Sequence, residues 1–311
     1  GHSTYHLKEG EAIQPQTSSI LIGGGDLMSV GANATDQYFR KDFLNYPCIV
    51  SSIGVPKWQV ADRQDDAIFN LRKFYLSFIK NANCLSLSMR DLEGYSLALE
   101  AFPNHFNKIR YTPDITFSLL DECTQRNHHK SSDIDQTHIQ QRITIIPRGN
   151  QPLEYNRRIS RLIEYLQETG KDVQLLVLNM GEEGESDAEA CDEIIGLISC
   201  RRKPIMISTS NIAATLDFLA KYDGVIVSTK YHFCLLGLMN GIPCFSLSGS
   251  NKFQNLYMQL GLRRYLLNVN DWPSVINAFV SPPSHPDITI ALQNLRDLAK
   301  IEIDFALRAA L

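Results

Sequence analysis

The chain has 311 residues, enough for two domains of ordinary size, each with its own core. With 44% hydrophobic residues, 21% charged residues and a formal net charge of -4, it reads as globular. The same charge balance excludes a general nucleic-acid binder, which needs a basic excess to neutralise phosphates.

Residues 1–18 are polar and read as a flexible lead. Ser19 to Ile22 is a short β run ending at Gly23-Gly24-Gly25-Asp26, and Asp36 to Leu44 suits a short helix. Cys48 to Val55 is a second strand, Asp62 to Asn81 has helical apolar spacing, and Cys84 to Leu87 is a third strand. Asp91 to Ala101 is a helix, and Ile109 to Tyr111 a fourth strand ending at Pro113-Asp114. Residues 121–141, polar and rich in His and Ser, are expected to link residues 19–120 to a second domain over 142–284, with His128, His129 and His138 solvated.

In that second domain the alternation repeats: strand Ile143–Ile146, helix Leu153–Glu168, strand Val173–Leu178, helix Ala188–Ser199, strand Ile205–Ile207 and helix Ile212–Lys221. The acidic stretch Gly181 to Asp187 reads as a solvated surface turn. A helix near 272–280 and an amphipathic closing helix within 285–311 complete the chain. Strand–helix alternation predicts α/β domains, each a Rossmann-like parallel sheet, in a GT-B-like arrangement with the site in the cleft. Seven cysteines without a C-x-x-C pair, most in apolar runs, argue for reduced core thiols in the cytoplasm and against a zinc site. No signal peptide or apolar run of transmembrane length stands out.

The stretch Gly224 to Leu262 carries the strongest signal. Val225-Ile226-Val227 is a buried-strand run, and Ser228-Thr229 offers a cap for a helix beginning Lys230-Tyr231-His232 and stopping at Asn240-Gly241. A strand from Ile242 to Leu247 follows, and Ser248-Gly249-Ser250 opens a helix with Lys252 in its first turn. Two strand–Ser–helix units thus place cations and a histidine at helix N-termini, where N–H groups and the dipole favour anions.

The pattern S-x-K-x-H, an apolar helix, G-I-P, a strand and a Lys twenty residues after the His resembles the polysaccharide pyruvyl transferase family. Gly23-Gly24-Gly25, Ser88-Met89-Arg90-Asp91 and Pro113-Asp114 match further landmarks in order. The resemblance implies an enzyme that moves the enolpyruvyl group of phosphoenolpyruvate onto a sugar of a cell-surface polysaccharide or its precursor. It closes a pyruvate ketal, releases phosphate and needs no metal or other cofactor. A lipid-linked acceptor would bring it to the inner face of the membrane. Relatives usually have Arg where Lys230 stands, and usually begin with a strand and a G-N-x-G-D-like loop that nothing here matches, so the first domain is expected to lack its first βα portion.

Each candidate residue also has a plainer reading. Arg90 suits a carboxylate or phosphate through its planar fork, yet Ser88 and Asp91 around it also spell a capping box. His232, the expected proton donor, lies beside an apolar helix face where histidines are more often packed than catalytic. Lys230 and Lys252 are expected donor ligands, because a cation in a first helical turn opposes the dipole and gains nothing locally. Gly23, Gly24 and Gly25 make a turn; in the family that loop lines the cleft, with Asp26 near acceptor hydroxyls. Asp114 is a turn residue or an acceptor ligand or base, and Arg148 is a further cation after the second domain's first strand. The competing readings are a GT-B-type glycosyltransferase with a nucleotide-sugar donor, and a catalytically degenerate binding member of the family.

Overall fold

The structure is a computed structural model that describes residues 12–23, 27–28, 30, 38–55, 64–127, 142–178, 186–199, 203–208, 211–248, 250–268, 270–283 and 286–309. Gly24, Gly25, Asp26, His128, His129, His138 and Cys200 lie outside the described residues. The chain divides into two compact units, Gly1–Ser118 with Asn294–Leu311, and Leu119–Gln293.

The first unit is built on four parallel strands in the order β1 (Ile20–Gly23), β2 (Cys48–Ile53), β3 (Cys84–Met89) and β4 (Ile109–Tyr111). Every residue of β2 is buried, as expected for a strand covered on both faces. Helices α1 (Gln64–Ile79) and α2 (Leu92–Ala101) supply the crossovers, with Leu71, Tyr75, Phe78 and Leu97 turned into the core. Phe39 closes this core edge-on against Tyr75 and Phe78, at centroid distances of 4.8 and 5.2 Å. The helix expected over Asp36–Leu44 is a 3-10 helix, Lys41–Asn45.

Two local readings change here. Asp91, not Ser88, caps α2, its carboxylate accepting from the Gly94 N–H at 2.6 Å. Ser88 remains in β3 and is fully buried, so its hydroxyl serves the sheet rather than the helix. The expected linker opens with a helix, α3 (Leu120–Asn127), which packs in the second unit against the helices Ile212–Lys221 and Tyr231–Met239.

The second sheet is also parallel, in the order β7 (Ile205–Ser208), β6 (Asp172–Val177), β5 (Arg142–Ile146), β8 (Val225–Ser228) and β9 (Cys244–Ser246). Strand order reverses between β5 and β8, which pair from Ile143–Val225 to Ile146–Ser228. Such a reversal splays the connecting helices to opposite faces and opens a crevice beyond the carboxyl ends of the two strands. The helices are α4 (Leu153–Glu168), α5 (Asp187–Leu197), α6 (Ile212–Lys221), α7 (Tyr231–Met239), α8 (Asn251–Gln259) and α9 (Trp272–Val280).

Helix α7 is buried on every side from Phe233 to Met239, so its apolar sequence shows no stripe. Gly237 permits its close approach to the sheet, because a Cβ there would lie 2.5 Å from Cys244 Sγ. It ends in a Schellman turn: Gly241 has φ +70°, Ile242 N–H donates to Gly237 O and Gly241 N–H to Leu238 O. The last helix, α10 (Thr289–Ala309), runs from the second unit's stretch of chain into the first's. Cys48, Cys84, Cys123, Cys191, Cys234 and Cys244 are free and buried, and burial pushes the Cys84 and Cys123 thiols up to about 11.

Candidate functional site

In the second unit the site grows from the crevice between β5 and β8. Leaving β5, the chain passes Pro147, the exposed Arg148 and the buried Gly149. Leaving β8, Thr229 is tied back across the crevice by its N–H to Ile146 O at 3.3 Å. Lys230 is the N-cap residue of α7 rather than its first helical residue, and its N–H donates to Ser228 Oγ at 2.9 Å. Having no acceptor on its side chain, Lys230 cannot cap the helix. Tyr231 and the exposed His232 then form the first turn, their rings edge-on at 5.2 Å. Tyr231 also meets Phe253 of α8 edge-on at 5.7 Å, which anchors the turn to the neighbouring helix.

Asp187 was not anticipated here. It is fully buried at the start of α5, whose N-cap is Ser186, and not part of a solvated turn. One carboxylate oxygen accepts from the Gly149 N–H at 3.1 Å and lies 2.7 Å from Lys230 Nζ. A single acid thus joins the loops after β5 and β8 to the N-terminus of α5, where the helix dipole favours its charge. The sequence carried a signal, a Ser-Asp pair opening an apolar-periodic stretch, hidden by the acidic run in front of it. Lys252, half-buried, lies in the first turn of α8; the Ser250 side chain does not cap that helix, and the Ser248 and Ser250 hydroxyls are 3.2 Å apart.

The first unit holds the other candidates. Arg90 follows β3, and its N–H donates to Ile53 O at 2.9 Å. Its guanidinium lies 3.3 Å from Asp114 Oδ2, both side chains being only 4% exposed. Asp114 Oδ1 accepts from the Thr116 N–H at 3.0 Å, so this carboxylate closes its own turn and also balances Arg90. Gly23 ends β1 opposite Ser51, whose carbonyl would be 3.4 Å from an added Cβ. The structure therefore groups Arg90 with Asp114 in one unit, and Arg148, Lys230 and His232 around the β5–β8 crevice in the other.

Residues 4–251 match the family model for polysaccharide pyruvyl transferase. The chain belongs to this family. A comparison with curated proteins gives no match. Among solved structures, UDP-GlcNAc 2-epimerase from Neisseria meningitidis bound to UDP-GlcNAc aligns with TM-score 0.57 and 12% identity, over 88% of this chain and 72% of that one. The same enzyme from Methanocaldococcus jannaschii gives 0.54 and 11% over 85% and 71%, and trehalose 6-phosphate synthase from Burkholderia multivorans 0.54 and 12% over 86% and 67%. At such identities the likeness concerns fold, and it places this pyruvyl transferase family member among GT-B-like α/β proteins. Among the described residues no helix is long and apolar enough to cross a membrane.

Proposed function

We propose that this protein transfers the enolpyruvyl group of phosphoenolpyruvate to a sugar of a cell-surface glycan or its precursor, closing it as a ketal. The observation that carries this reading is an exposed histidine, His232, in the first turn of α7 at the β5–β8 crevice of a chain from this family.

The chemistry sets the requirements. C3 of the donor takes a proton, one sugar hydroxyl bonds to C2 and loses its proton, and the C2–O bond to phosphate breaks with its electron pair. A second hydroxyl then bonds to C2 and gives up its proton to the released phosphate, leaving the ketal. The site must hold a carboxylate and a phosphate and must deliver one proton to carbon. N–H groups in the first turn of α7 suit the phosphate, and His232 in that turn suits proton delivery. Lys252 of α8 is the second cation. Lys230, already joined to Asp187, acts as a fixed ammonium that adds charge and holds the turn in place. Arg90, Asp114 and Arg148 are assigned as further candidate ligands of donor or acceptor, as is Asp26 from its sequence position alone. The reaction as written calls on no metal.

Thermal melting with phosphoenolpyruvate against UDP and GDP tests the donor. A rise in Tm with phosphoenolpyruvate alone, with phosphate release once a sugar acceptor is added, is the expected result. Stabilisation by UDP instead would favour a nucleotide-sugar enzyme, the reading that the UDP-GlcNAc-bound fold relative brings to mind. Stabilisation by phosphoenolpyruvate with no phosphate released across an acceptor panel would favour a binding member of the family.

A further inference from the structure

The terminal helix carries a carboxylate where an amphipathic helix ordinarily carries an apolar side chain. Leu292, Ala299 and Glu302 follow at helical spacing along the buried face of α10, and Glu302 is fully buried. A buried carboxylate needs partners, and Glu302 draws them from three neighbouring strands. Its Oε1 accepts from Ser51 Oγ of β2 at 3.1 Å and from Ser88 Oγ of β3 at 2.8 Å. Its Oε2 pairs with the guanidinium of Arg110 of β4, which also lies 3.8 Å above the Phe305 ring of the same helix.

Ser88 passes this constraint onward. Having given its proton to Glu302, its oxygen accepts from the Ser52 N–H at 2.7 Å and from the Thr112 hydroxyl at 3.1 Å, which uses its full capacity. Ser52 is a left-handed residue, φ +53°, where the β2–β3 register shifts. A non-glycine residue persists in that conformation only when its surroundings hold it there. The Ser52 hydroxyl donates to Pro113 O at 3.0 Å and accepts from the Ile115 N–H at 3.2 Å, gripping the chain on both sides of Asp114. Asp114 in turn holds Arg90.

We propose that Glu302 is a positioning residue for Arg90, acting through Ser88, Ser52 and the Asp114 turn. Its consequence for turnover rests on the proposed reading, in which Arg90 serves the donor; its consequence for the protein itself does not. The test uses Ser88→Ala, which cuts the relay while leaving Glu302 its contacts with Ser51 and Arg110. Amide hydrogen exchange of this variant should quicken at Ser52 and Ile115 and stay unchanged along α10 and at the ends of β5 and β8. In steady-state assays KM for phosphoenolpyruvate should rise about tenfold, as for one lost buried hydrogen bond, with kcat within about twofold. Glu302→Gln keeps an acceptor oxygen and should fall between wild type and Glu302→Ala in both readouts. Unchanged exchange at Ser52 and Ile115 in Ser88→Ala would overturn the proposal, whatever the donor proves to be. A Glu302→Ala protein that melts earlier but keeps wild-type exchange there would overturn it too, leaving a role in docking the helix alone. If wild type shows no turnover of phosphoenolpyruvate, the functional reading fails, and the exchange data still decide the positioning.

Discussion

The two units each place an acid–base pair beyond the carboxyl ends of a parallel sheet, and the pairs differ in exposure. Arg90 and Asp114 are both 4% exposed, whereas Lys230 is 25% exposed beside the fully buried Asp187. A pair closed off from water is weakly stabilising when intact and strongly destabilising when one partner is removed, because the other charge is left buried. A pair with one end in water tolerates loss better, and its exposed charge can respond to a ligand. The first unit's polar end is thus organised mainly as scaffold. The second adds an exposed histidine to a half-open pair at two helix N-termini, the more suitable place for chemistry.

His232→Ala gives the sharpest test and the largest effect. Phosphate release and ketal formation should fall by about 100- to 10,000-fold, the usual worth of a positioned general acid, while phosphoenolpyruvate still raises Tm. Turnover within a few-fold of wild type would move the acid elsewhere and end the contrast between the units. Arg90→Ala should have the next largest effect, on folding: a loss of about 3–5 kcal/mol in urea unfolding, since Asp114 remains buried without its counter-charge. A loss below about 1 kcal/mol would show that Asp114 finds another partner.

Lys230→Met should cost less, about 1–3 kcal/mol by the same measurement, because Asp187 keeps the Gly149 N–H and the start of α5. A cost equal to that of Arg90→Ala would erase the distinction drawn between the pairs. Arg148→Ala should be the mildest change. Its side chain is exposed, so stability should shift by no more than about 0.5 kcal/mol, and any loss of donor affinity should shrink as salt is raised. A salt-independent loss would mean that Arg148 touches the donor directly.

Elements with a clear period or a long apolar run were legible. Helices Leu153–Glu168, Ile212–Lys221 and Trp272–Val280 and strand Ile109–Tyr111 lie where the pattern predicts them. The helix start that carries Lys230 and His232 was legible from its local chemistry, with Lys230 as the N-cap residue rather than the first helical one. A capping box is a local pattern and points Ser88 to a helix cap, whereas the partner that claims its hydroxyl lies at position 302. An acidic run usually faces water, so the sequence points Asp187 to a surface turn, and nothing near it in the chain shows that Gly149 and Lys230 converge on it.

The sequence by itself determined the alternation of strands and helices, the cation-bearing helix starts and the Gly241 stop of α7, because each depends on neighbours within a few residues; the family showed in the order of landmarks along most of the chain. Only the tertiary structure decided which strands lie side by side, and with that where the order reverses between β5 and β8. It also decided that Arg90 meets Asp114, that Lys230 meets Asp187, and that Glu302 reaches Ser51, Ser88 and Arg110. The reason is physical: hydrophobic burial repeats with the period of an element and so leaves a trace along the chain. A buried charge instead takes whichever partner the packed strands bring to it, and that partner has no fixed spacing.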